Sequence, residues 1–211
     1  SPHIKVALTG IGADELLGGY QRQKRLNIVR AFKMLPPSAR KAVVALSSPT
    51  GLQNNIIKLN RLASATKNDI YYEWISVADE SIKKKLYNHS FYSARSSNSL
   101  GNWAASVFDC DLPSNTDDLI SFLELKTTLP DDFLNYTDRM TMAWGLEARE
   151  PFLDHQLVEF AVSLPMNMKI NNGVTKYILK KAMSDKLPSE IVHRKKQPFH
   201  LPIGIWLRNE L

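Results

Sequence analysis

Cysteine is almost absent. Cys110 is the only one among 211 residues, so the chain can close no internal disulfide and build no cysteine cage around a metal. That fits a reducing, cytoplasmic setting. Long hydrophobic runs are missing as well: nothing approaches the roughly 18 apolar residues needed to span a bilayer, and the first residues lack the basic and apolar segments of a signal peptide. No internal repeat or low-complexity tract interrupts the chain. Charge of one sign is only in mild excess. Lys and Arg number 27 against 21 Asp and Glu, a net charge of +6, which suits a surface that meets phosphates but lacks the density of a dedicated nucleic-acid binder. What remains is an ordinary globular composition, 44% apolar and 23% charged, on a chain long enough for one core.

Strand signals are also scarce. Ile4 to Leu8 is a short apolar run closed at once by Thr9-Gly10-Ile11-Gly12, the pattern of a buried parallel strand entering a glycine turn. Nearly everything after it has helical character. Residues 13–32 read as one long helix, opened by Asp14 and Glu15, whose charges complement the helix dipole, and stopped by Pro36-Pro37. Further helices are expected at 38–46, 55–65, 69–78, 80–86, 117–128, 131–145, 154–164, 175–183, 188–192 and 202–208, with Pro130 separating two of them and Asp154 as an N-cap. Residues 88–116, rich in Ser and Asn, break every period and read as an irregular excursion over a site. The fold class is therefore mainly α. A single strand makes no sheet, so the chain is expected to be part of a larger α/β domain whose other strands lie upstream.

Three stretches could carry chemistry. Thr9 to Tyr20 (TGIGADELLGGY) is strand, glycine turn and helix start, a place where backbone amides can approach an anion and where Asp14 could hold a magnesium ion bridging to it. It is neither the dinucleotide fingerprint nor a P-loop, and by spacing alone it is equally a simple turn with capping carboxylates. Leu129 to Asp154 places charges in a Met-rich apolar run. There Glu147 and Arg149 read as a structural ion pair, and Asp131 and Asp132 as helix-start carboxylates. In the third stretch, Lys176 lies early in a helix, against the dipole, which invites an anionic partner. Lys180, Lys181, Lys195 and Lys196 read as a solvated face.

Taken together and in this order, these stretches resemble the synthetase domain of the glutamine-dependent asparagine synthetases. Thr9 to Tyr20 is similar to that family's Ser-Gly-Asp/Glu-Gly-x-Asp-Glu-x-x-Gly-Gly-Tyr segment. Leu129 to Asp154 is similar to its Leu-Pro-x-Asp and Asp-Arg-x-Ser-Met-Ala-x-x-Leu-Glu-x-Arg-x-Pro-Phe-Leu-Asp block, and Lys176 to Phe199 to its lysine-rich tail. The resemblance implies an adenine-nucleotide α-hydrolase-like α/β domain with a large helical half. It implies a reaction in which Mg-ATP activates aspartate as an acyl-adenylate, releasing pyrophosphate, before ammonia attacks. The ammonia would come from glutamine through an upstream glutaminase domain. Neither that domain nor the family's Ser-Gly-Gly-x-Asp-Ser pyrophosphate loop occurs in this sequence, so 1–211 is expected to be the C-terminal part of a synthetase domain and inactive alone. No nucleic acid or membrane partner is expected, and a homodimeric parent is allowed for.

Residue by residue, the resemblance assigns Thr9, Gly10 and Gly12 to ATP and Asp14 to the magnesium. Lys176 is assigned to the phosphates and the adenylation transition state. Asp131 and Asp132 fall where related β-lactam-forming synthetases place a carboxylate that helps deprotonate the attacking amine. One departure stands out. The family's acidic residue between the two glycines, tied to formation of the aspartyl-adenylate, is Ile11 here. The open alternatives are an amide ligase for another carboxylate, a non-catalytic helical module of the same scaffold, and a nucleic-acid module resting on the basic tail alone.

Overall fold

The computed structural model describes residues 3–20, 23–47, 52–66, 69–76, 78, 80–94, 111–194, 196 and 203–209. It divides into two compact units, Ser1–Tyr177 and Ile178–Leu211. The architecture is mainly α, as the periodicities imply. In the first unit β1 (Val6–Leu8) runs into α1 (Ala13–Leu17), a 3-10 turn at Gln23–Arg25, α2 (Leu26–Lys33), α3 (Pro37–Leu46), α4 (Gln53–Ser64), α5 (Ile70–Ile75), α6 (Glu80–Leu86) and α7 (His89–Ala94). Then follow α8 (Thr116–Leu123), a π-helical stretch at Glu124–Leu134, α9 (Asn135–Met142), β2 (Glu147–Arg149), a 3-10 turn at Pro151–Leu153, α10 (His155–Ser163) and α11 (Met166–Lys169). The hairpin strands β3 (Ile170–Asn171) and β4 (Val174–Thr175) lead into α12 (Tyr177–Met183). The second unit holds the rest of α12, with α13 (Ser189–Val192) and α14 (Ile203–Asn209).

The core lies where α2, α4, α5 and α8 converge, with Leu26, Val29, Leu62, Ala63, Ile70, Tyr71, Trp74, Leu119, Ile120 and Leu123 buried together. Those positions recur at helical spacing on each element, which is why each helix turns one stripe inward. Tyr71 is buried but keeps its hydroxyl satisfied, hydrogen-bonding with the hydroxyls of Thr127 and Thr128 at 3.0 Å each. A second tie joins α2 to α8, where Arg30 Nη2 meets Asp117 Oδ2 at 2.6 Å.

The strand at Val6–Leu8 is parallel, as expected, but its partner is β2, with Val6 opposite Glu147 and Leu8 opposite Arg149. It is neither buried nor the lone strand: Leu8 is 74% exposed, and the hairpin β3–β4 forms a second small sheet. The long helix expected over 13–32 is also interrupted. Gly18 closes α1 in the left-handed region, and the chain re-enters helix at Leu26. Pro130 does not separate two helices. It sits inside the π-helical stretch, whose wider turn gives its ring room beside the backbone of the preceding turn. The irregular excursion expected at 88–116 contains α7, and its residues 95–110 lie outside the described set, as does Lys195.

α3 begins at Pro37, ahead of the start expected after Ser38, so that proline opens a helix instead of only stopping one, while the Asp154 cap of α10 matches expectation. The Asp154 carboxylate accepts from the backbone N–H of Gln156 and Leu157. The Met-rich run of α9 carries no buried residue, so its apolar side chains face outward rather than into a cleft. No helix among the described residues is long and apolar enough to cross a membrane.

Gly12 shows how tightly the glycine turn is held. Its φ is +90°, and a Cβ there would fall 2.2 Å from Leu153 Cδ2. A Cβ at Gly10 would meet no heavy atom within 4 Å. Gly12→Ala should therefore lower unfolding stability by at least about 2 kcal/mol, from left-handed strain plus overpacking. Gly10→Ala should fall between neutral and about 1 kcal/mol stabilising. Urea unfolding of the two variants beside the parent sequence checks the contrast.

Candidate functional site

The site begins with how β1 delivers its loop. Parallel pairing with β2 continues one bond further, Thr9 N–H donating to the Arg149 carbonyl at 2.8 Å. Thr9 Oγ1 then donates to Glu150 Oε1 at 3.4 Å and accepts from the Ile11 N–H at 3.3 Å. The threonine thus braces the turn on both sides, while Leu153 packs over Gly12. The space above Gly10 stays clear.

Downstream of this turn, Asp14 leaves α1 and meets Lys176, Nζ to Oδ1 at 3.0 Å. Each side chain is about one-quarter exposed, so the pair is sheltered but reachable from solvent. Lys176 follows β4 with φ +52°, a backbone conformation unusual for a residue with a side chain. The hairpin therefore aims the lysine back at α1 instead of letting it continue into α12. Gly19 makes the close approach possible. A Cβ at that position would lie 1.7 Å from Asp14 Oδ1 and 2.4 Å from Lys176 Cε, so the pair rests directly on a bare stretch of backbone.

Beneath the pair lies a set of buried polar groups that the motif reading did not single out. Glu15 is 3% exposed and accepts a hydrogen bond from the Tyr20 hydroxyl. Glu124 is fully buried, and Gln23 Nε2 donates to its Oε2 at 2.9 Å. Burial above all, then the hydrogen bond to Glu15 and the negative charges of Glu15, Glu124 and Asp14, pushes the Tyr20 phenol well above its usual pKa. Tyr20 is held neutral, as a donor. Glu15 and Tyr20 sit inside the first motif, where a charged residue followed by an aromatic across two glycines could have signalled such a bond. Glu124 has no local signal, because its partner comes from far upstream.

Of the residues proposed from sequence, Thr9, Gly10, Gly12, Asp14 and Lys176 belong to this neighbourhood. Asp131 and Asp132 lie exposed on the π-helical stretch, and their carboxylates make no hydrogen bond or ion pair to any described residue. Glu147 and Arg149 form the structural ion pair expected of them, 2.8 Å apart on the open face of β2, too solvated to contribute much. No three His, Cys, Asp or Glu side chains converge into a metal-binding group among the described residues. Asp14, partly solvated at the start of α1, is the carboxylate of this turn that would be available to a magnesium ion accompanying a nucleotide.

The asparagine synthase family profile matches residues 1–211, and the chain belongs to that family. It is similar to asparagine synthetase (glutamine-hydrolyzing) 1 of Bacillus subtilis strain 168, 32% identical over 212 residues that cover 99% of this chain and 32% of that protein. Asparagine synthetase (glutamine-hydrolyzing) 3 of the same organism is 44% identical over 68 residues, 32% of this chain and 11% of the relative. The Gallus gallus asparagine synthetase (glutamine-hydrolyzing) is 46% identical over 65 residues, 29% of this chain and 12% of the relative. No solved structure matches the chain. The chain spans about a third of the length of the curated relatives that it matches throughout.

Tyr20→Phe tests the buried layer. It leaves the Glu15 carboxylate without its donor and should cost about 1–3 kcal/mol at neutral pH. Because folding raises the phenol pKa, the contribution of Tyr20 ionisation to stability is complete below the unfolded value of about 10 and is lost as pH rises beyond it. The parent sequence should therefore lose stability above that pH more steeply than Tyr20→Phe does, in denaturant unfolding followed from pH 7 upward.

Proposed function

We propose that this chain is the C-terminal part of a synthetase domain that joins a carboxylate to ammonia at the expense of ATP, with aspartate the first candidate carboxylate and glutamine the ammonia source. The observation that carries this is the Asp14–Lys176 pair on the bare backbone of Gly19, which unites residues from two of the three motifs. Membership of the asparagine synthase family and the names of the similar proteins supply the reaction class. The apolar surface left open at Leu8 of β1 and at Met140, Met142 and Trp144 is consistent with a larger adenine-nucleotide α-hydrolase-like domain covering it.

In this reading the turn at Thr9, Gly10 and Gly12 accommodates the nucleotide, because Gly10 leaves room for close approach to the backbone. Asp14 would hold the magnesium that accompanies ATP, which would supply positive charge to the phosphates. Lys176 exchanges its carboxylate partner for phosphate oxygens and offsets the charge that grows as the substrate carboxylate attacks the α-phosphorus and pyrophosphate departs. Ammonia then attacks the activated carbonyl, and AMP leaves. Asp131 and Asp132, solvated and unpaired, are available to take the amine proton once substrate covers them. A reducing cytoplasm suits such a protein, in keeping with the single cysteine of residues 1–211.

Lys176→Ala in the full-length protein should cut pyrophosphate release by about a hundredfold or more. Its stability should fall by no more than about 1 kcal/mol, since the pair is partly solvated. Unchanged kinetics would reduce Lys176 to a solvated lysine and remove the proposal's main support.

Ile11 decides the acceptor. With aspartate as substrate, Ile11→Glu should preserve or raise aspartate-dependent pyrophosphate release. With an apolar acceptor it should abolish turnover, through an unpaired charge in the pocket. Pyrophosphate assays with and without aspartate, in parent and variant, separate the two.

A further inference from the structure

Away from the turn and the Asp14–Lys176 pair, a cavity of about 210 Å³ lies between the 3-10 turn at Gln23–Arg25, α2, α8, α11 and β3. Leu26, Met166 and Ile170 give it apolar wall. Its polar lining includes Gln23 and Asp117, only 4% and 8% exposed. Each keeps one buried oxygen, Gln23 Oε1 and Asp117 Oδ1, with no hydrogen-bond partner among the described residues. Which end of the Gln23 amide is oxygen is fixed, because its nitrogen has to face the Glu124 carboxylate, to which it donates at 2.9 Å. Arg30, the cation of the lining, already gives Nη2 to the other oxygen of Asp117 at 2.6 Å and Nη1 to Asn27 Oδ1 at 2.9 Å. Two buried acceptors left unmade on one cavity are costly, and in a native fold they call for donors from elsewhere.

Charge decides which kind of donor. Asp117 and Arg30 are the ionised side chains of the lining and they meet each other, so the ligand that matches it is neutral. We propose that this cavity is a binding site for a small primary carboxamide. Its NH2 group donates one hydrogen to Gln23 Oε1 and the other to Asp117 Oδ1, and a short branched apolar body rests on Leu26, Met166 and Ile170. Its carbonyl is left for the amide nitrogen of Asn27, whose oxygen Arg30 already occupies. A single water brings two hydrogens but no apolar surface, and the cavity is larger than one water fills. A ketone of the same shape fills the walls and offers neither hydrogen. None of the residues assigned to the nucleotide lines the cavity, so this site stands or falls independently of the proposed ligase activity.

The test uses isobutyramide as the carboxamide probe and isopropyl methyl ketone, which has a methyl in place of the NH2, as its isostere. Each is titrated into the full-length protein and followed by saturation-transfer NMR of its methyl signals. Isobutyramide should bind saturably, with a dissociation constant on the order of millimolar for so small a ligand. The ketone should bind about tenfold more weakly or worse, the scale of leaving buried acceptors unmade. Asp117→Asn keeps the shape but puts an amide nitrogen where Oδ1 was, its oxygen staying with Arg30. It should weaken isobutyramide about tenfold or more and leave the ketone within about twofold. Met166→Trp fills the cavity from half-buried α11 and should remove saturable binding of both probes, without touching the Asp117–Arg30 pair. Thermal unfolding midpoints near that of the parent sequence establish that each variant is folded. Absence of saturable isobutyramide binding (a cavity that holds water alone), equal binding of the ketone, or isobutyramide binding that survives either folded variant would overturn the proposal.

Discussion

The three-residue parallel ladder between β1 and β2 is the constraint on which the rest of the site depends. A parallel pair needs a crossover, and here nearly the whole helical body forms it, from Gly10 round to Leu146. The ladder brings the segment after β2 against the glycine turn, so that Glu150 meets Thr9 and Leu153 covers Gly12. With the turn pinned at both ends, α1 has one direction in which to leave it. Asp14 is carried with it. So short a ladder, open on its faces, gives little stability of its own. Its importance is geometric: it converts sequence distance into contact.

Electrostatics then sorts the carboxylates that this geometry gathers. Asp14, Glu15 and Glu124 lie close enough that all three act on Tyr20. Each has a different partner: a lysine for Asp14, a phenol for Glu15, an amide for Glu124. Burial follows the same order. Glu15 and Glu124, which accept from a phenol and an amide, are the deeply buried ones, and Asp14, which meets a lysine, is partly solvated. A neutral donor such as the Tyr20 hydroxyl can hold a buried carboxylate in place, whereas an ion pair near solvent can exchange partners at modest cost. The buried layer is therefore scaffold, and the exchangeable charge sits above it.

What the sequence made legible follows the range of the forces involved. Pro37 reads as a stop until its place in the first turn of α3 is seen, whereas the cap of α10 is local, set by Asp154, and was readable as such. β2 was not. Glu147-Ala148-Arg149 has no strand-forming residue, and it is extended because β1 lies beside it. One clue did exist: Glu147 and Arg149 can pair two residues apart only where side chains alternate across a strand. Likewise, nothing local announces that Pro130 would be absorbed by a π-helical stretch, or that Leu8 would stand exposed on an incompletely covered sheet. Within the site, Asp14 and Lys176 were visible because their motifs are dense. Glu124 and Gln23 were not, because their bond spans the core and leaves no spacing to detect.

The geometry of the turn also separates two questions that the motif runs together. Ile11 contributes its backbone N–H to Thr9 Oγ1, and this hydrogen bond is indifferent to the side chain that position 11 carries. The turn's other supports come from Thr9, Gly12, Glu150 and Leu153. Exchanging an acidic residue for isoleucine therefore leaves the turn standing and alters only what projects from it. Position 11 can therefore vary without disturbing the turn, because the hydrogen bond it supplies comes from the backbone and only its half-buried side chain differs.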